Sequence, residues 1–275
     1  MEISAQDVAK LRKMSGAGLM DCKKALAEAN GDFDTAIDLL RKKGQKIAGN
    51  RADRDANEGC VLAGLTADKK RAAIVALNCE TDFVAKNEDF IKLTNNILQT
   101  ALTQKPANLE ALLALKLGAH SIADEVINQT GVIGEKIELS YYEFVEAESV
   151  INYIHPGNKL ASIAGFNVAG IDEQVEKDIV MQIAAMAPVS LDKDDVPQSV
   201  IDKELEIGKA QAIEEGKPAD MAEKIAVGRL NKFYKESTLL NQAFIKDNKK
   251  SISEYLKETN KNLTVTSFKR FNIGA

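Results

Sequence analysis

The chain has 275 residues, which is enough for one large domain or for two to three small ones. Apolar residues make up 45% and charged residues 28%, as in soluble folded proteins, and a net charge of -5 argues against general nucleic-acid binding, which needs a basic surface. The charged N-terminus does not fit a signal peptide and no apolar run approaches the ~20 residues of a membrane span, so we expect a cytoplasmic protein without membrane contact.

Residues 1–45 are predicted to form three short helices. Ser4 and Asp32 can cap the first and the third of them with their side-chain oxygens. The Lys-Lys-Gly run at 42–44 is typical of a helix end, where cations and then a left-handed glycine are favoured. About 45 residues make only a small core, so this region is better suited to docking than to catalysis.

Residues 46–58 are predicted to be a linker. They have little apolar content and no clear period, and the basic residues at 41–43 precede them. Two interpretations are open, a solvated tether between folded parts or a segment that contacts RNA.

The middle of the chain is predicted to mix strands and helices. Apolar runs at 61–65 and 72–77 flank a polar turn, which is a hairpin signature, and the second run is apolar throughout, as in a strand covered on both faces. Asn87 can cap a helix that continues to about 98. Further elements are expected as helices over 108–117, 121–129 and 173–187 and as strands over 136–145, 149–154 and 160–168. The predicted fold class is α+β, an antiparallel sheet with helices packed on it.

The last third of the chain is predicted to contain a projecting helical hairpin. Helices over 197–215 and 218–236 carry small or apolar residues at steps of three and four, as in the thin seam of an antiparallel coiled coil. A helix over 251–259 and an alternating strand over 263–271 follow. If that strand pairs with a sheet, the hairpin is an insertion within a domain that begins before it and ends after it.

The sequence shows no recognisable catalytic or metal site. His120 and His155 have no metal-ligand spacing, and there is no nucleophile elbow or phosphate-binding glycine loop. Cys22, Cys60 and Cys79 are odd in number and match no zinc or redox pattern, so reduced thiols are expected. Cys79 is either a buried strand cysteine or a nucleophile paired with a histidine.

The most unusual segment of the sequence is Asn78–Asn87. A predicted buried strand ends there, and charged residues surround Phe83 at a turn. In one interpretation Thr81 or Asp82 caps a helical turn while Phe83 fills the core. In the other, Phe83 protrudes as an apolar anchor beside a carboxylate, and anchors of this kind dominate binding energies.

Two long motifs in the sequence point to one family. Leu11–Leu26 closely resembles the N-terminal signature of the elongation factor Ts family, and Asn78–Asn87 matches its second signature. Shorter matches resemble the family's helical hairpin and the segment where that hairpin rejoins the core, at 216–218, 223–225, 232–234 and 239–247. The resemblance therefore covers almost the whole chain in one order.

The resemblance implies a particular arrangement of the α+β fold, with a core of two α+β subdomains that contain antiparallel sheets. The implied parts are a three-helix module like ubiquitin-associated domains (1–45), a linker (46–58), the N-subdomain of the core (59–140), its C-subdomain (141–188 and 237–262), an inserted helical hairpin or coiled coil (189–236) and a C-terminal module (263–275).

The resemblance also implies a partner, the GTPase elongation factor Tu, whose exchange of GDP for GTP the family promotes without enzymatic chemistry, cofactor or metal. In the family an aspartate-phenylalanine pair, here Asp82 and Phe83, intrudes between two helices of the GTPase domain near its magnesium site. Thr81, Asp82, Phe83 and Val84 are therefore the predicted magnesium-displacing wedge. A dimer of two such complexes is left open, and no direct nucleic-acid binding is expected.

Met20, Asp21 and His155 are implied as further partner contacts. His155 is similar to a histidine that faces the partner in the family, although residues 156–159 depart from the commoner pattern. The alternative for His155 is a strand-end residue with only a structural hydrogen bond. Two rival functions remain, an adaptor that binds ubiquitin-like folds through the three-helix module and an enzyme that uses Cys79 or His155.

Overall fold

The computed structural model describes residues 3–274, in which helices and antiparallel strands combine as the predicted α+β class requires. Within this part of the chain, no helix is both long enough and apolar enough to cross a membrane. In chain order the elements are α1 (Ala5–Ser15), α2 (Leu19–Glu28), α3 (Phe33–Arg51), β1 (Glu58–Leu65), β2 (Arg71–Cys79), α4 (Asp82–Ala85), α5 (Glu88–Gln104), α6 (Leu109–Ala114), β3 (Lys116–Leu117), β4 (His120–Ser121), α7 (Ile122–Ile133), β5 (Glu138–Glu146), β6 (Ser149–Ile154), β7 (Leu160–Phe166), α8 (Glu173–Met186), α9 (Gln198–Glu214), α10 (Ala219–Ser237), β8 (Ala243–Phe244), β9 (Asp247–Ser251), α11 (Ile252–Thr259) and β10 (Val265–Asn272).

The first three helices form a small module with its own core. Leu11 of α1 and Leu26 of α2 are fully buried in it, together with Ala36 of α3. Both predicted caps are confirmed: the Asp7 N–H donates to the Ser4 hydroxyl at 3.1 Å and the Thr35 N–H to the Asp32 carboxylate at 2.8 Å.

The third helix is longer than predicted. The sequence indicated an end at Gly44 and a linker over 46–58, but α3 continues to Arg51, so the linker prediction is wrong for residues 46–51. Gly44 does not cap the helix. It lies where α3 crosses α7, and a Cβ on Gly131 of α7 would lie only 2.4 Å from the Gly44 Cα. The helix continues because its backbone packs against a distant helix, which no local pattern reveals.

Two three-stranded antiparallel sheets pack face to face in the centre of the molecule. The first has the order β1-β2-β5 and the second the order β10-β7-β6. Val75 and Leu77 of β2 pack in one layer with α5, whereas Ile74 and Ala76 pack between the sheets with Ile163 of β7. Both faces of β2 are therefore buried, as its unbroken apolar run predicted. Helices α8 and α11 cover the other face of the second sheet.

Two of the predicted domain borders do not coincide with these sheets. β5 pairs with β2, so the border between residues 140 and 141 falls within a strand of the first sheet. β10 pairs with β7 from Val265–Phe166 to Asn272–Leu160, so the predicted C-terminal module at 263–275 supplies a strand of the second sheet. Strand pairing between distant segments decides both placements, and the division into subdomains stays a prediction.

Helices α9 and α10 form the predicted antiparallel hairpin. Its seam contains the buried residues Gly208, Ala212 and Ala226, and a Cβ on Gly208 would lie 3.2 Å from the Ala226 Cα. At its base the Leu239 N–H donates to the Ser190 carbonyl at 2.9 Å. The chain therefore leaves the core and returns to it at neighbouring points.

Candidate functional site

The segment singled out in the sequence forms the end of β2 and a one-turn helix. β2 ends at Cys79, and α4 spans Asp82–Ala85. Thr81 is the N-cap of α4, because its hydroxyl accepts a hydrogen bond from the Val84 N–H at 3.5 Å. A single helical turn is not stable by itself, so its position depends on the residues around it.

Phe83 protrudes from this turn and is 83% exposed. The next two residues face the other way, since Ala85 is buried and Val84 packs against the apolar core beside the first sheet. Successive side chains of a helix are about 100° apart, so position 83 points outward when positions 84 and 85 point inward. The interpretation in which Phe83 fills the core is therefore wrong.

A carboxylate from a distant part of the chain holds the turn from behind. Glu135 lies just after α7 and accepts the Glu80 N–H at 3.1 Å and the Thr81 N–H at 3.0 Å on one oxygen. Its other oxygen accepts the Thr81 hydroxyl at 2.7 Å. Hydrogen bonds to a charged group each contribute about 1.5–3 kcal/mol, so Glu135 fixes the backbone from which α4 starts.

Glu80, which precedes the capping residue, joins three separate segments. One of its oxygens accepts the Lys136 N–H at 2.6 Å and an Arg51 guanidinium N–H at 2.8 Å, and the other accepts from Arg54 at 3.0 Å. The Lys136 N–H and then the two arginines hold the pKa of Glu80 at about 2, well below its usual range. Glu80 is thus an ionised link between the end of α3 and the base of α4.

Asp82 is the second outward-facing residue of α4. Its carboxylate accepts a hydrogen bond from Lys86, one turn along, at 2.6 Å. That hydrogen bond, with the positive charges of Lys86 and Lys159, lowers the pKa of Asp82. A carboxylate therefore lies beside the exposed Phe83 ring, as the second interpretation predicted.

A groove of about 580 Å³ lies between Phe83 and the N-terminal module. It is bounded by α4, the start of α5, the end of α7 and, on the module, Gly16. Near Gly16 in the chain, Met14, Leu19 and Met20 are all more than half exposed, Met20 by 61%. Gly16 of the first signature and Phe83 of the second thus line the same groove.

Asp21, the other predicted contact in the first signature, is engaged within the module. Its carboxylate pairs with Lys43, which joins α2 to α3. The side chain of Asp21 remains about one-third exposed, and its contact with a partner stays a prediction.

His155 lies exposed in the turn between β6 and β7. Its backbone N–H donates to the Leu160 carbonyl at 2.8 Å, and its ring Nδ1 lies 2.9 Å from the Tyr153 hydroxyl. The same turn supplies Lys159, whose charge acts on Asp82. The ring therefore has a structural hydrogen bond and an exposed face at the α4 end of the molecule, and a partner role stays a prediction.

The structure gives no support to a cysteine nucleophile. Cys79 is fully buried and its thiol donates to the Thr81 carbonyl at 3.2 Å. Burial, reinforced by the charge of Glu135, raises the pKa of Cys79 to about 12, and a protonated thiol is a poor nucleophile. Within residues 3–274, no three or more His, Cys, Asp or Glu side chains are grouped so that they could hold a metal ion.

Sequence reasoning missed the residues that position the α4 turn. Glu80 had a local signal, since it is a charged residue directly after a buried strand. Glu135 had none, because it is 54 positions from the threonine that it binds. The close approach of Gly131 to α3 likewise depends on the packing of two distant helices.

Comparisons with known proteins agree with one another. The family model described as "Elongation factor TS" matches residues 80–275. The chain is 56% identical to Elongation factor Ts of Porphyromonas gingivalis and 52% identical to Elongation factor Ts of Amoebophilus asiaticus, with 100% of each chain covered in both cases. It is 45% identical to Elongation factor Ts of Chloroherpeton thalassium, with 99% of each chain covered.

Proposed function

This chain belongs to the elongation factor Ts family, and we propose that it is a guanine-nucleotide exchange factor for the GTPase elongation factor Tu. In this proposal it acts in the cytoplasm, binds the GDP-bound GTPase, disrupts the magnesium and phosphate site, and promotes release of GDP and loading of GTP. It performs no covalent chemistry and uses no cofactor of its own.

The exposure of Phe83 on a turn held from behind carries the proposal. Aromatic side chains of this size bury about 150–250 Å² and are among the strongest anchors of protein interfaces. Because Glu135 fixes the turn through three hydrogen bonds, the ring is presented without the entropy loss of ordering a loop on binding.

The four wedge residues have different roles in this proposal. Phe83 inserts between two helices of the GTPase domain, and Asp82 brings a negative charge to the same place. Thr81 and Val84 hold the turn, the first through Glu135 and the second through the core beside the first sheet. Met20, Asp21 and His155 supply further contact with the partner, and this binding energy offsets the distortion of the GTPase.

Exchange follows from coupled binding. The factor and the nucleotide each weaken the binding of the other to the GTPase by the same free energy. When the wedge shifts the helices near the magnesium site, the diphosphate loses its main counter-charge and GDP leaves. GTP then binds and displaces the factor by the same coupling.

The test is a stopped-flow measurement of labelled GDP release from elongation factor Tu, with the full chain as the added factor. We expect the release rate to rise with factor concentration and to reach a plateau. A control in excess chelator separates the proposed route from others, because a factor that acts by displacing magnesium adds little once magnesium has been removed. Release at the spontaneous rate at every concentration would contradict the proposal.

The adaptor alternative is kept because Met14, Leu19 and Met20 are exposed on the three-helix module. A complex with a ubiquitin-like fold, together with unaccelerated GDP release, would favour it.

A further inference from the structure

The N-terminal module is docked on the core by a close helix crossing. The second half of α3 lies along α7, and at the crossing the helix backbones touch, since a Cβ on Gly131 would lie 2.4 Å from the Gly44 Cα. Next to the crossing, Gly16 of the module faces Val132 of α7, where an added Cβ would lie 3.6 Å from a Val132 methyl. The module therefore meets the core directly.

A charged contact follows where α3 ends. Arg51 is the last residue of α3, Arg54 lies in the segment that follows it, and both donate to Glu80. The Glu80 side chain is only 17% exposed, so an unpaired charge there is poorly solvated. Its third donor is the Lys136 N–H, beside the Glu135 that holds the Phe83 turn.

We infer that Glu80 is a positioning residue that holds the N-terminal module and the Phe83 turn in one fixed relation, so that both dock on a single partner together. A residue that only supported α4 would need hydrogen-bond donors from a single neighbouring segment. The Glu80 carboxylate instead accepts hydrogen bonds from three: the end of α3, the segment after α3 and the segment after α7. The docking consequence rests on the proposed function; the fixed relation does not.

A fixed relation between the two surfaces would strengthen binding by raising the effective concentration of the second contact. When two docking surfaces are held at the correct spacing, the second contact forms almost without further loss of freedom, whereas a loosely attached module dilutes its own contact. Loss of the Glu80 charge should therefore raise the factor concentration at half-maximal exchange by about ten- to a hundredfold. The plateau rate should change by less than about twofold, because the three hydrogen bonds from Glu135 still hold the turn that carries Phe83.

The first measurement uses the full chain without a partner. Spin labels are placed at the exposed positions Lys24→Cys in α2 and Asn96→Cys in α5, and the native cysteines are all buried. Double electron–electron resonance should give a narrow distance distribution in the parent chain and a broad one in Glu80→Gln. Glu215→Gln is the matched control, because it removes a different carboxylate that pairs with an arginine, Arg229, at the tip of the hairpin.

The second measurement is the dependence of GDP release on factor concentration. Arg51→Gln/Arg54→Gln should show the same shift of the half-maximal concentration as Glu80→Gln, and combining all three changes should add little, because they remove one contact. The double arginine variant keeps the hydrogen bond from the Lys136 N–H to Glu80, so it still tests the inference if the Glu80→Gln chain fails to fold.

The outcomes are distinct. An unchanged distance distribution in Glu80→Gln overturns the inference, whatever happens to exchange. A broadened distance distribution with an unchanged half-maximal factor concentration overturns the docking role. A fall in the plateau rate of GDP release alone also overturns it, because the substitution would then act through Phe83. If the parent chain does not release GDP, the proposed function fails, and the distances still decide whether Glu80 fixes the module.

Discussion

Two parts of the molecule present apolar side chains to solvent, and they are built in opposite ways. The α9–α10 hairpin carries exposed residues such as Ile213 on long helices that hold each other through a small-residue seam. The α4 turn carries Phe83 on four residues that have no seam of their own and depend on Glu135 and Glu80.

The difference shows why exposure alone says little about function. A residue such as Ile213, 51% exposed on a self-contained helix, needs no further explanation. Phe83 is different, because the carboxylate of the distant Glu135 holds the turn that exposes it, and Glu80 links the start of that turn to the end of α3. We therefore expect the α4 region to be sensitive to single substitutions and the hairpin to be tolerant.

The largest contrast is expected between Phe83→Ala and Ile213→Ala. Loss of an interface anchor costs about 2–4 kcal/mol, so Phe83→Ala should slow catalysed GDP release by about 30- to 1000-fold, while Ile213→Ala changes it by less than about twofold. Both residues are exposed, so thermal unfolding should hardly change. Equal rates of GDP release with the two folded variants would show that the α4 turn and the hairpin do not differ in function.

The next effect concerns pH. The folded state holds the pKa of Glu80 at about 2, below its usual 4.5, so Glu80 stabilises the fold above about pH 5 and this stability is lost as the pH falls towards 2. The shift corresponds to an upper limit of about 3 kcal/mol. Urea unfolding should therefore show a difference in unfolding free energy between the parent chain and Glu80→Gln that narrows by about half from pH 6 to pH 3 and continues to shrink towards pH 2.

Glu215→Gln in the hairpin is the comparison for this pH series. Its ion pair is exposed, and such pairs contribute about 0–1 kcal/mol. A gap for Glu80→Gln that stays constant over the whole pH range would show that the charge of Glu80 is not what holds the α4 region.

Three glycine substitutions compare the crossing of α3 with α7 and the seam of the hairpin. Gly131→Ala places a Cβ 2.4 Å from backbone, Gly208→Ala places one 3.2 Å from backbone, and Gly49→Ala meets nothing within 4 Å. Overpacking costs about 1–3 kcal/mol, whereas a helical Gly→Ala change in open space adds up to about 1 kcal/mol of stability. The free energy of unfolding should therefore fall most for Gly131→Ala, less for Gly208→Ala, and rise for Gly49→Ala.

If Gly208→Ala lowered the free energy of unfolding more than Gly131→Ala, the hairpin seam would be a tighter contact than the crossing of α3 with α7. Circular dichroism at matched concentration establishes that all three variants keep their helix content.

The smallest effect is expected from removal of the hairpin. Replacement of residues 197–236 by a short turn should leave GDP release within about threefold, because closing a short loop between neighbouring ends has a small entropic cost. The hydrogen bonds from Leu239 to Ser190 and from Leu240 to Leu191, both 2.9 Å, remain at the base. Light scattering and circular dichroism check assembly and folding. Abolished exchange in a folded, monodisperse variant would place part of the docking surface on the hairpin.

Local chemistry explains what was predictable from the sequence. The Ser4, Asp32 and Asn87 caps, the doubly buried β2 and the seam of the hairpin all depend on residues a few positions apart, and the structure confirms them. The short β3–β4 ladder was missed, and the helix predicted to reach 117 ends at Ala114. Gly118 at φ 70° allows the tight turn there, which a helical apolar pattern concealed.

By itself, the sequence determined the α+β class, the helical hairpin and the motif that contains Phe83, because periodicity, capping and motif spacing are properties of neighbouring residues. It left two orientations for Phe83, and only the tertiary structure decided between them by burying Ala85 and packing Val84 inward. The tertiary structure also decided the length of α3 and the hydrogen bonding of Glu135 to the turn that carries Phe83. These features arise from contacts between segments far apart in the chain, which depend on how whole elements pack.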